Sequence, residues 1–153
     1  MPRTARVDTV DRRIVAALQR DGRRPFTSIG RELGLSEAAV RQRVARLQAA
    51  GIMQVVAVAD PMALGYQAIA MVGITVDGRA RRQVAEAVER LPEVSYLVLT
   101  AGSFDMLAEV VCEDNDHLLR VLTERFAEIK GIKSTETLVE LRFVKESYQW
   151  GAR

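Results

Sequence analysis

Eleven arginines stand among the first 51 residues, at positions 3, 6, 12, 13, 20, 23, 24, 31, 41, 43 and 46, against five acids. This stretch therefore carries a net charge of +6, while the rest of the chain sums to −4 within an overall charge of +2. A guanidinium offers a planar fork of donors that matches a phosphate or a guanine edge. A basic block joined to an acidic one thus fits a polyanion-binding module attached to a module of another kind. A solvated charged surface has the same balance, so charge alone leaves both readings open.

Residues suited to catalysis are sparse. Cys112 is the only cysteine and His117 the only histidine. Cys112 has no CxxC or Cys/His neighbour at metal spacing, and it can form no disulfide within the chain, which fits a reducing compartment. It reads as a semi-buried thiol at a strand end. His117 follows Glu113-Asp114-Asn115-Asp116 near a helix start and reads as an exposed helix residue rather than a general base. No glycine-rich phosphate loop, HExxH or GxSxG is present. The expectation is a protein that is not an enzyme, with no catalytic residues, no metal and no cofactor. No window approaches the roughly 20 apolar residues of a membrane span, and Met1-Pro2-Arg3 leads into charged sequence rather than a signal-peptide core, so a cytoplasmic protein with no membrane partner is expected.

The elements that must position these residues follow from periodicity. From Asp8 to Gln19, Val10, Ile14, Val15, Ala17 and Leu18 recur at helical steps, and Asp21-Gly22 ends the pattern. A second helix follows Thr27, with Ile29 and Leu33 inward and Gly34 as its stop. Ser36 caps a third, Glu37 to about Ala50, whose inward stripe is Val40, Val44 and Leu47. The Gly34-Leu35-Ser36 turn between the last two suits a helix-turn-helix, although plain three-helix bundles share this spacing.

Beyond Gly51 the pattern changes to β-branched runs at Ile52 to Ala59, Ala68 to Val76, Val94 to Thr100, Met106 to Cys112 and Thr135 to Val144. Helical patterns at Arg79 to Leu91 and Asp114 to Ile129 lie between them. After the first run the order is βαββαβ, as in a ferredoxin-like split βαβ unit. The predicted class is α+β: an N-terminal winged/helix-turn-helix module of three helices over 1–51, a linker strand over 52–63, and a ferredoxin-like (RAM/ACT-like) module over 64–153. Apolar residues of both parities in Ile69-Ala70-Met71-Val72 and Tyr96-Leu97-Val98-Leu99 predict that the sheet's second face is covered by another copy, and the linker strand could pair across chains. Some βαββαβ sheets bind single-stranded RNA through aromatics. The acidic second half and the lack of an aromatic string argue against that here.

Placed in this order, particular strings resemble the Lrp/AsnC family of feast/famine transcriptional regulators over nearly the whole chain. They are Val7-Asp8-Thr9-Val10-Asp11, Leu18-Gln19-Arg20-Asp21-Gly22-Arg23, Gly34-Leu35-Ser36 and Arg43-Val44-Ala45-Arg46-Leu47 followed by Gly51-Ile52. In the second half they are Gly102-Ser103-Phe104-Asp105, similar to the family's Gly-x-x-Asp, and Thr135-Glu136-Thr137. Two departures stand out. Gly30 replaces a small helix former and is expected to loosen the second helix, and Met53-Gln54 replaces an Ile-Xaa-Gly pattern at the linker entry.

Read as a helix-turn-helix, the third helix would enter the major groove of duplex DNA. Ser36, Glu37, Ala38, Arg41 and Gln42 are the candidates for groove contacts, with Arg41 and Gln42 able to make bidentate bonds to guanine and adenine. Arg46, Arg23 and Arg24 would reach phosphates, and Arg43 would do so or pack across the module. A dimer would read an approximately palindromic site.

The resemblance further implies an amino-acid effector at the RAM module, usually between dimers of a homodimer assembled to a tetramer or octamer. Gly102 allows close backbone approach, so amides of the turn could meet a carboxylate while Asp105 meets an ammonium group. Ser103 and Phe104 complete that turn, and Thr135 and Thr137 could add hydroxyls from one strand face. A purely structural turn would use the same Gly102 and Asp105. Tyr96, Phe104 and Met106 would form an apolar wall or belong to the core.

Overall fold

Asp8 begins the first helix by a reciprocal cap: its carboxylate accepts from the Asp11 amide at 2.7 Å, and the Asp11 carboxylate accepts from the Asp8 amide at 3.1 Å. This satisfies amide donors that a helix start otherwise leaves orphaned. In a computed structural model that describes residues 6–149, α1 then runs Thr9–Arg20, α2 Phe26–Leu33 and α3 Glu37–Ala49. Two units emerge, one reaching Val58 and including the segment from Lys145 onward, the other Ala59–Val144.

In the first unit, Ile14, Ala17, Leu18, Ile29, Val40 and Val44 form the core, closed by Val10, Phe26, Leu33, Leu35 and Met53. Ser36 caps α3 by accepting from the Ala39 amide at 3.2 Å. Gly34 takes the left-handed conformation, φ 70°, that ends α2. Gly30 does not loosen α2. A Cβ there would lie 2.6 Å from the Leu35 carbonyl oxygen, so the missing side chain lets the α2–α3 turn close, sealed by the Leu35 amide donating to the Gly30 carbonyl at 2.8 Å. Among the described residues of this unit no strand follows α3. The segment 52–60 has neither helix nor strand, and Val55, Val56 and Val58 are exposed. A strand needs a hydrogen-bonding partner, and the single chain supplies none here.

The second unit contains β1 (Ala68–Val76), α4 (Arg81–Val88), β2 (Val94–Leu99), β3 (Met106–Cys112), α5 (Asn115–Arg120) with a π-helical continuation over Val121–Phe126, and β4 (Ile132–Val139). The strands form one antiparallel sheet in the order β2-β3-β1-β4, the ferredoxin-like arrangement. Alternate residues of β1 and β3, from Ala68 to Val76 and Met106 to Cys112, pack against Val84, Val88, Leu118, Val121 and Phe126. The π-helical turn has a packing reason. Five residues apart on an α-helix, Val121 and Phe126 would point about 140° apart; the wider turn brings both into the core, where each is 1% exposed.

The opposite sheet face is partly covered from within the chain. The Phe104 ring lies over Gly73, where a Cβ would come within 2.8 Å of three ring carbons. Tyr96, paired with Glu109, and Leu138, paired with Met71, remain about half exposed.

Candidate DNA interface and effector site

Burial of Val40, Val44 and Leu47 turns Glu37, Ala38, Arg41 and Gln42 outward, and all four are exposed. Ser36 is exposed too, but its hydroxyl is occupied by the cap. Arg41 is held without being hidden: it bonds Glu37 at 2.5 Å, lies 5.4 Å from the Phe26 ring centroid, and its side chain is 64% exposed. Arg23 is exposed, whereas Arg24 pairs with Glu32 at 2.5 Å.

Arg43 and Arg46 turn toward α1. Arg43 donates to Asp8 at 2.6 Å and to Asp11 at 2.8 Å; Arg46 pairs with Asp11 and donates to the Arg6 carbonyl at 3.3 Å. Of the two roles open to Arg43, the single chain shows packing across the module, and Arg46 shares it. Asp11 is fully buried. Burial pushes its carboxyl up, but hydrogen bonds from Arg46, the Asp8 amide and Arg43 outweigh that and bring it down to about 2. Sequence reasoning passed over this pair of aspartates. The signal was there, since Asp11 precedes Ile14 and Leu18 on the same inward stripe, where a charge needs partners.

In the other unit, Gly102 has φ +153° with open space before it, and Ser103 is exposed. Asp105 is engaged at both oxygens, accepting from the Val76 amide at 2.9 Å and pairing with Arg81 at the start of α4. The Val76 amide first, then Arg81, hold its carboxyl below the usual range. Thr100 donates to the Phe104 carbonyl at 2.6 Å, fixing the turn. Thr135 and Thr137 pair with Ile74 and Val72 and so share the helix-covered face, while Phe104 lies on the opposite face with Gly73. One chain therefore does not bring the turn and the two threonines together. Arg81 was not anticipated, because its pairing with Asp105 spans 24 residues. Cys112 is fully buried rather than semi-buried, and burial pushes its thiol up. His117 is half-buried rather than exposed, 3.4 Å from Glu93.

A helix-turn-helix with an open recognition-helix face, followed by a βαββαβ unit, defines a DNA-binding transcriptional regulator with a ligand-binding domain. The AsnC-type helix-turn-helix domain matches residues 7–48, and the Lrp/AsnC ligand binding domain matches residues 69–150. The chain belongs to the Lrp/AsnC family. It is 37% identical to an uncharacterized HTH-type transcriptional regulator of Pyrococcus abyssi, over 97% of this chain and 92% of that one. It is 31% identical to HTH-type transcriptional regulator LrpA of Pyrococcus horikoshii, over 82% and 90%. Among solved structures, AsnC of E. coli superposes with TM-score 0.79 at 28% identity, over 93% of this chain and 97% of that one. A transcriptional regulator of Neisseria meningitidis, solved as its L-Met complex, shares the fold with TM-score 0.80 at 22% identity, over 94% and 96%. These relatives are regulators, not enzymes. No helix among the described residues is long and apolar enough to cross a membrane.

Proposed function

We propose that this regulator reads an operator with the Ala38, Arg41 and Gln42 face of α3, and that an amino acid bound at the β2–β3 turn, between copies of the chain, adjusts the assembly that presents those helices. The observation carrying the first half is the exposure of that face on a helix whose opposite stripe is fully packed. Arg41 and Gln42 supply base-edge bonds, Glu37 and Ser36 border them at the helix start, and Arg23 supplies a phosphate contact.

For the effector, Gly102 leaves room for close approach, and Asp105 beside Arg81 sets a carboxylate and a guanidinium side by side on a partly exposed turn. An amino-acid zwitterion carries the complementary pair: its ammonium would meet Asp105 and its carboxylate Arg81. The L-Met in the Neisseria protein supports an amino acid as the class. Thr135 and Thr137, on the far side of β1, would serve only from a neighbouring copy. The half-exposed Tyr96 and Leu138 on the open sheet face support a dimer that assembles to a tetramer or octamer in the cytoplasm.

Light scattering of the purified protein with each common amino acid, run beside a shift assay on DNA upstream of its own gene, tests both halves. A mass change with one amino acid together with a DNA shift supports the reading. A fixed mass and an unchanged shift with every amino acid overturn the effector half alone.

A further inference from the structure

A recess on the first unit is lined by Arg6, Asp8, Gln42, Arg43 and Arg46. Three guanidiniums meet there with one solvent-reaching carboxylate. The two aspartates that hold them differ in kind. Asp11 is fully buried and anchors Arg43 and Arg46 from behind. Asp8 has half its side chain exposed and touches Arg43 from the open side, at 2.6 Å. Gln42 both lines the recess and lies on the outward face of α3, so the recess borders the surface assigned to DNA.

We propose that this recess is a phosphodiester site for duplex DNA in which Asp8 is an exchangeable internal counter-ion: DNA phosphate displaces the Asp8 carboxylate from Arg43. An arginine already oriented by a buried carboxylate loses little freedom when it takes a phosphate, and its fork retains donors for one. A carboxylate that opposes this in the free protein weakens binding to all DNA equally, because it guards a backbone contact and no base edge. Asp8 thereby sets the level of non-specific affinity, a role separate from its capping of α1.

Capping and charge are separable, because asparagine and serine cap as aspartate does without the negative charge. The experiment measures affinity of the full chain for a random-sequence duplex across a KCl series, for the native protein, Asp8→Asn, Asp8→Ser, Arg43→Gln and the Asp8→Asn/Arg43→Gln pair, with thermal melting to verify folding. Asp8→Asn and Asp8→Ser are expected to tighten binding about three- to tenfold at low salt and to steepen the log–log salt dependence by about 0.9 per copy bound, the value of one added phosphate contact. In the Arg43→Gln background the gain should vanish. An unchanged slope in both Asp8 variants, or a gain that persists without Arg43, overturns the proposal. The inference rests on the outward α3 face meeting DNA, and the two fail separately: Gln42→Ala and Arg41→Ala leaving operator binding intact would sink that face, while the Asp8 slope would still report the phosphate site.

Discussion

Asp11 occupies an inward position of α1 that periodicity assigns to an apolar side chain, and it is tolerated because two arginines from α3 neutralise it. Its folded value of about 2 lies below the ordinary 3.8, so its contribution to stability is complete above about pH 4 and is lost as pH falls toward 2. The size is about 2 kcal/mol. Asp11→Asn should remove this acid-sensitive component and cost roughly 3 kcal/mol at neutral pH, read from urea unfolding followed across pH. An unfolding free energy equally steep between pH 4 and 2 in both proteins would contradict the assignment. Gly30 makes the opposite kind of point. Glycine to alanine inside a helix ordinarily stabilises by up to about 1 kcal/mol. Gly30→Ala should instead destabilise by about 1–3 kcal/mol, because the new methyl meets the Leu35 carbonyl, part of a turn that cannot simply swing aside. A higher melting temperature would refute this.

Among the elements, the β2–β3 turn is tied to its neighbours through Asp105, which joins the Val76 amide at the end of β1 to Arg81 at the start of α4. A ligand at the turn therefore acts on a strand and a helix together. Asp105→Asn keeps an acceptor for the Val76 amide but removes the charge. It should cost no more than about 1 kcal/mol in stability while abolishing the mass response to an amino acid in light scattering. A full response from the asparagine variant would return the turn to a purely structural role. Element boundaries show where sequence patterning stops. The last strand is expected over Thr135 to Val144 and lies at Ile132–Val139, because its length follows the pairing of Ile132 with Val76 and Val139 with Ala70. The helix expected from Asp114 to Ile129 is α-helical for six residues and then widens, a change demanded by the core and invisible in a 3.6-residue repeat.

For the molecule as a whole, the βαββαβ unit packs one sheet face with helices and leaves the other to Phe104 and a set of half-exposed apolar side chains. A second copy is the proposed cover. Leu138→Glu places a charge on that face at a position half exposed in the single chain. It should leave circular dichroism unchanged and lower the mass by light scattering toward that of one chain. An unaltered assembly would place the interface elsewhere. The extended segment 52–60, with its exposed valines, would gain a ladder partner only in such an assembly.

The sequence by itself determined the order of elements, the caps at Asp8, Ser36 and Gly34, the outward face of α3 and the division into a basic and an acidic half, because each is set by local periodicity, backbone geometry or composition. Only the tertiary structure decided that Arg43 and Arg46 face Asp8 and Asp11, that Gly30 and Gly73 yield space to a carbonyl and an aromatic ring, that Arg81 holds Asp105, and that Thr135 and Thr137 lie across the sheet from Phe104. Those pairings join residues distant in the chain, apart from the approach of Gly30 to Leu35. They depend on how helices and strands pack, which no periodicity along one segment encodes.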